Sequence, residues 1–235
     1  MKYKAVFFDR DGTLTYFDKE KEEWRDRMIG EWSGKPFALP YDKMMRLFEL
    51  ASEGRTPWYK TLDDERAFFK RFYKRLLIGE GVRDDIDARA AWLFSELWCN
   101  KDRALFPETV DVLEYFHSRG YKMGVISDTS PSLAYTLQQL DIAKYFTSFT
   151  ASSLVGAGKP SPIIYQAALR AQGVAAEESL YVDDCEEEAD GARVLGFTAF
   201  HLCRQDPEPH GNEKKHWQLR DLRGLVEYAE RCEPV

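Results

Sequence analysis

The sequence predicts an α/β protein, a parallel β-sheet with helices on both faces, interrupted by an all-helical insertion. Three observations carry that prediction. Short apolar runs alternate with amphipathic segments from residue 106 onward. One more such run, Ala5–Phe8, stands alone near the N-terminus and stops abruptly in acids. Between residues 16 and 104 no convincing strand pattern occurs, only apolar residues at three- and four-residue spacings. At 235 residues the chain is long enough for a core domain plus an insertion. The expected division is a core formed by 1–15 and 105–235, and a helical insertion over 16–104.

Taken in order, Ala5–Phe8 reads as a buried parallel strand. In the insertion, helices are expected at Glu20–Trp32, Tyr41–Ala51, Leu62–Leu77 and Ile86–Trp98. Pro36, Pro40, Pro57 and Gly79-Glu80-Gly81 punctuate them, and Asp42 or Tyr41 and Thr61 are the expected starts. All but one of the six tryptophans fall here (Trp24, Trp32, Trp58, Trp92 and Trp98), which implies a small core of its own.

From Phe106 the reading is regular. Glu108–Arg119 is a helix ending at Gly120, and Lys122–Ser127 a strand. Ser132–Leu140 is a helix and Phe146–Ser152 a short strand. Ser161–Gln172 is a helix, Ser179–Asp183 a strand running into acids, and Asp190–Leu195 a helix ending at Gly196. Thr198–Leu202 is the last clear strand, 204–216 a polar loop, and Leu219–Glu230 a closing amphipathic helix.

A hydrophobic fraction of 44% with 14% aromatic residues suits a well-buried core. The net charge of −7 argues against nucleic acid as the main partner. No stretch approaches the roughly 18 uninterrupted apolar residues needed to span a membrane. The N-terminus runs straight into a strand, leaving no room for a signal peptide ahead of it. Cys99, Cys185, Cys203 and Cys232 show no paired short spacing, so neither a disulfide framework nor a zinc site is expected. The reading is a reduced cytoplasmic protein, monomer or homodimer.

Chemistry is expected at the end of the first strand. Asp9 and Asp11 are spaced i, i+2, which puts both on one side of an extended chain. Open α/β sheets bind ligands at that end. Two converging acids repel unless one keeps its proton or a cation lies between them, and a hard cation such as Mg²⁺ resolves the conflict. A solvated Asp-Gly turn is the competing reading.

Asp9-Arg10-Asp11-Gly12-Thr13-Leu14 resembles the first motif of the haloacid dehalogenase superfamily, whose core is a Rossmann-like parallel sheet. Ser127, ending Gly-Val-Ile-Ser before Asp128, looks like the second motif, although Ser-Asp-Thr-Ser-Pro reads equally as a helix cap. Lys159-Pro160 resembles the third, with a solvated loop lysine as the alternative. Tyr-Val-Asp183-Asp184 followed by Gly191-Ala192 resembles the fourth, metal-binding motif. Counting back from Gly191 favours Asp183 as the direct ligand, with Asp184 its neighbour; the two roles could exchange. Glu188 is a weaker candidate, and Glu186 and Glu187 read as acids favoured at a helix N-terminus. The insertion matches the family's position for a helical cap.

The resemblance implies a Mg²⁺-dependent phosphatase for a small phosphorylated metabolite. Asp9 would be the nucleophile and Asp11 the acid and base, while Asp9, Asp11, Asp183 and Asp184 hold the metal. Thr13, Ser127 and Asp128 would orient the phosphoryl group, and Lys159 would offset its charge. In the superfamily, dehalogenases lack an acid at the position of Asp11. A phosphomutase using the same residues, or a non-catalytic binding protein on this fold, remains the alternative. Specificity is expected in the cap, where Trp58 and Tyr59 are candidate contacts. Its lysines and arginines (Arg66, Lys70 and Lys74 among them) read as a solvated helix face.

Overall fold

A computed structural model describes residues 2–52, 59–99, 101–205 and 217–232. Its contacts divide the chain into two compact units. The sheet unit comprises Met1–Tyr16, Ala104–Thr129 and Leu133–Val235, and the helical unit Phe17–Arg103 with Ser130–Ser132.

The sheet unit bears out the α/β expectation. Strands β1 (Ala5–Phe8), β4 (Lys122–Ser127), β5 (Ser148–Ala151), β6 (Ser179–Asp183), β7 (Thr198–Leu202) and β8 (Gln218–Leu219) form one sheet. Their order is β5-β4-β1-β6-β7-β8, and every neighbouring pair is parallel. Alternation along the strands loads both faces. On one side Val6, Phe8, Met123, Val125, Leu180 and Val182 meet Val112, Leu113 and Phe116 of α5 (Thr109–Ser118). On the other, Ala5, Phe7, Ile126 and Tyr181 meet Ile164, Tyr165 and Ala168 of α8 (Pro162–Gln172). Gly124 on β4 allows a close approach, since a Cβ there would lie 2.8 Å from the Phe7 ring. A sheet buried on both faces needs the near-continuous apolar runs that made these strands legible.

In the helical unit, α1 (Lys19–Ser33), α2 (Tyr41–Ser52), α3 (Leu62–Gly79) and α4 (Ile86–Leu97) enclose a core of their own. Phe48, Phe68 and Phe72 form its centre, with Phe48 to Phe72 at 5.0 Å between ring centroids. Trp92 packs against Trp24 and Trp32. Thr61 caps α3 by accepting from the Asp64 N–H, as Asp18 caps α1 through Glu20. Glu65 of α3 is buried and accepts from both the N–H and the hydroxyl of Ser132, at 2.9 and 2.6 Å.

Several expectations need correction. Thr15–Phe17 (β2) and Arg103–Leu105 (β3) pair as a small two-stranded sheet, at the edges of a stretch read as free of strands. Three residues are too few to show alternation. Helix α9 spans Glu186–Val194 and starts four residues before Asp190, so Glu186, Glu187 and Glu188 form its first turn, where the dipole favours acids. The closing helix α10 begins only at Arg223, because Gln218–Leu219 adds a sixth strand to the sheet. Two further short helices are α6 (Leu133–Gln139) and α7 (Ser152–Val155), and α7 was not foreseen. Trp58, Pro57 and most of the 204–216 loop lie outside the described residues. Among the described residues no helix is long and apolar enough to cross a membrane.

Candidate active site

Strand order reverses at β1, with β4 and β5 on one side and β6, β7 and β8 on the other. Segments leaving the carboxyl ends of β1 and β6 therefore part, the usual place for a ligand in such sheets. Both strands end in paired acids.

Asp9 follows β1 and is only 5% exposed. Its Oδ1 accepts from Lys159 Nζ at 2.7 Å. The lysine side chain, itself enclosed, also donates to Asp183 Oδ2 at 2.7 Å and lies 2.6 Å from Glu188 Oε2. One ammonium thus meets three carboxylates. Burial opposes its charge, but Asp9, Tyr181, Asp183 and Glu188 outweigh that and hold Lys159 protonated far above the ordinary lysine range. Asp9 is pushed up, first by burial and then by Asp183, with Lys159 opposing. Burial likewise pushes Glu188 up to about 7, with Lys159 again opposing and Asp183 adding. The site thus holds more carboxyl groups than cations, a donor set able to take a divalent cation.

Asp183 ends β6 fully buried. Its Oδ2 takes the Tyr181 hydroxyl as well as Lys159, and its Oδ1 accepts from the Cys185 N–H at 2.9 Å. Asp184 is more open. Its carboxylate packs against Gly12, where an added Cβ would lie 2.0 Å from Oδ2 and where φ is +77°. Only glycine meets both conditions without strain. One oxygen each from Asp9, Asp183 and Asp184 lies within 4.8 Å of the others. An all-oxygen set of this kind suits a hard cation such as Mg²⁺.

The remaining candidates are placed as follows. Asp11 is partly exposed; Arg10 grips it through Nε at 3.1 Å and Nη2 at 2.7 Å, and the Thr15 hydroxyl donates at 2.9 Å. Thr13 is wholly buried, and its hydroxyl has no hydrogen-bond partner among the described residues. Phe8 pairs with Val125, so Ser127 stands just beyond Asp9 on the neighbouring strand, and it too is buried. Asp128 accepts from the Lys159 backbone N–H through both oxygens, at 3.0 and 3.1 Å, and so braces the loop that delivers the lysine.

Tyr181 and Tyr165 were not foreseen. Tyr165 donates to the Glu188 carbonyl at 2.7 Å, at the first turn of α9. Tyr181 carried a readable signal, since it precedes Asp183 by two residues and so shares its side of β6. Within the helical unit, Tyr59 packs on Phe68 at 4.9 Å. Most of that unit's cations are engaged locally: Arg66 with Asp63, Lys74 with Asp87, and Arg71 with the Ala51 carbonyl.

Comparison with known proteins places the chain in a family. The model of the haloacid dehalogenase-like hydrolase family matches residues 3–196. A protein of Mycobacterium tuberculosis named phosphatase MT3486 is 29% identical over 234 residues, covering 96% of each chain. The glyceraldehyde 3-phosphate phosphatase of Methanopyrus kandleri is 29% identical over 218 residues, 89% of each chain. Among solved structures, a 2-haloacid dehalogenase from Pseudomonas syringae pv. Tomato superposes with a TM-score of 0.70 at 22% identity, covering 98% of this chain and 100% of that one. That last likeness concerns the fold alone. With four acids and a lysine gathered at the strand ends of a matching sheet, the chain belongs to the haloacid dehalogenase-like hydrolases.

Proposed function

We propose that the chain is a Mg²⁺-dependent phosphatase acting on a small phosphorylated metabolite. The observation that carries this reading is Asp11, a partly exposed carboxylate two residues beyond the buried, lysine-bound Asp9. A departing alkoxide needs a proton, and in this reading Asp11 supplies it. A halide needs none. Relatives named as phosphatases that span nearly the whole chain support the same choice.

In the proposed reaction, a carboxylate oxygen of Asp9 forms a bond to phosphorus as the bond from phosphorus to the substrate's oxygen breaks. Asp11 gives that oxygen a proton. In the second step Asp11 takes a proton from water, whose oxygen attacks the phosphorus of the aspartyl-phosphate and frees inorganic phosphate and Asp9. Lys159 donates to Asp9, opposing the upward push of burial on its carboxyl, and offsets charge on the phosphoryl oxygens, which Ser127 and Thr13 orient. Asp9, Asp184 and the Asp11 backbone would hold the cation, which supplies further charge neutralisation when bound.

Between the two acids after β6, the sequence spacing favours Asp183 as direct ligand. Occupation of both its oxygens by Lys159, Tyr181 and the Cys185 N–H favours Asp184 instead, leaving Asp183 to anchor the lysine. We further propose that the helical unit serves as the cap that selects the substrate. The test is release of inorganic phosphate from p-nitrophenyl phosphate and a panel of metabolite phosphates, with Mg²⁺ and with EDTA. Mg²⁺-dependent release is expected; conversion of a substrate to its isomer without free phosphate would instead establish a mutase.

A further inference from the structure

The loop bearing Asp9 and Asp11 is gripped by a residue that belongs to no motif. Internally the loop closes on itself: Gly12 N–H donates to the Thr15 carbonyl at 2.7 Å, and Leu14 and Thr15 both donate to the Arg10 carbonyl at 2.9 Å. Those bonds shape the turn without fixing it to the sheet. The carbonyls of Gly12 and Thr13 point elsewhere, to Arg204. Its Nε donates to Gly12 at 3.0 Å and its Nη2 to Thr13 at 2.6 Å.

Arg204 follows β7 and is 192 residues from Gly12. Its remaining Nη1 donates to Glu108 Oε1 at 2.7 Å, and the guanidinium lies 3.4 Å from the centre of the Phe106 ring. Glu108 is buried just before α5 and also accepts from the Leu222 N–H at 3.4 Å. Against the upward push of burial, Arg204 and neighbouring backbone N–H groups hold its carboxyl below the ordinary range. The planar fork of an arginine holds two carbonyls and a carboxylate on three separate nitrogens in a fixed geometry, which the single nitrogen of a lysine does not reproduce.

The other side of the same turn meets Asp184, whose carboxylate occupies the space where a Gly12 side chain would stand. We propose that Arg204, held by Glu108, is a positioning residue for the reaction. It sets the Gly12–Thr13 turn against Asp184, and so sets the spacing between the β1 acids and the β6 acids. This inference rests on the phosphatase reading above.

R204K and R204A test it through three readouts: turnover of p-nitrophenyl phosphate, Mg²⁺ binding by calorimetry without substrate, and Tm. R204K is expected to fold, bind Mg²⁺ several-fold more weakly and lose about ten- to a hundredfold in kcat with little change in KM, the scale of an ångström's misplacement. Free guanidinium at millimolar concentration should restore part of the activity of R204A. A drop in Tm with wild-type kcat and Mg²⁺ affinity in R204K would make Arg204 a fold-stabilising residue only, and would overturn the inference. Should R204A fail to fold, R204K decides alone. An active wild type with an unaltered R204K sinks this inference and spares the phosphatase reading, whereas a wild type that releases no phosphate sinks both.

Discussion

The acids after β1 and the acids after β6 are built alike and surrounded differently. Each pair has one enclosed member, Asp9 or Asp183, and each enclosed member binds Lys159 at 2.7 Å. Each has one more open member, Asp11 or Asp184. Beyond that the pairs diverge. Asp11 is tied to Arg10 and Thr15, while Asp184 rests against the bare backbone of Gly12. Asp183 has donors on both oxygens, and Tyr181 is one of them. Equal side chains thus acquire unequal surroundings: the enclosed members share one ammonium, whereas of the more open members one is held by an arginine and a hydroxyl and the other lies against backbone.

The comparison breaks first at the enclosed acids. If Asp9 is the nucleophile and Asp183 only an anchor, D9N abolishes turnover while D183N keeps a measurable remainder. Assays of phosphate release on both folded variants decide this. Equal and complete loss would mean that the two enclosed acids act as a single unit. The more open acid of the first pair comes next. If Asp11 is the acid and base, D11N removes proton transfer in both steps, and kcat should fall by about 10²–10⁴-fold, the usual worth of general acid–base catalysis. A better leaving group should narrow that loss, since p-nitrophenolate needs less protonation than an alkoxide. An identical loss in kcat/KM, which reports the first step, with both kinds of substrate would take the acid role away from Asp11.

How far such roles can be read from sequence depends on distance along the chain. Strands Lys122–Ser127, Ser179–Asp183 and Thr198–Leu202 fall where their apolar runs place them, because burial on both faces leaves an unmistakable run. Acids at the ends of such strands are legible for the same reason. The strands at Thr15–Phe17, Arg103–Leu105 and Gln218–Leu219 are too short to carry a period. Glu188, singled out from the three glutamates as a weaker candidate one helical turn beyond Asp184, lies 2.6 Å from Lys159 once α9 starts at Glu186. Arg204 and Glu108 are beyond local reading. Their partners are brought to them only by the closing of the whole sheet.

A sharper form of the comparison concerns the cation. D184N should weaken Mg²⁺ binding by about ten- to a hundredfold, whereas D183N should disturb Lys159 more than the cation. Calorimetric titration of Mg²⁺ into each variant without substrate checks this. The opposite order would restore Asp183 as direct ligand and give Asp184 the supporting place.

The smallest expected effect tests what makes Asp183 different from Asp9. Tyr181 donates to the same Asp183 oxygen as Lys159, and its ring packs against Tyr165 and Phe197 at 5.7 and 6.1 Å between centroids. Y181F removes the hydroxyl and keeps the packing. Asp183 retains Lys159 and the Cys185 N–H, so the loss is one hydrogen bond to a carboxylate, about 1.5–3 kcal/mol if nothing compensates. Part of that is recovered, because a buried phenol that must always find an acceptor is no longer present. Activity should fall less than tenfold, and Tm should move by only a few degrees for a chain of this size. A fall in kcat as deep as that of D9N, at unchanged Tm, would place the phenol in the chemistry itself. Asp183 would then differ from Asp9 because Tyr181 acts through it, and no longer simply because more donors surround it.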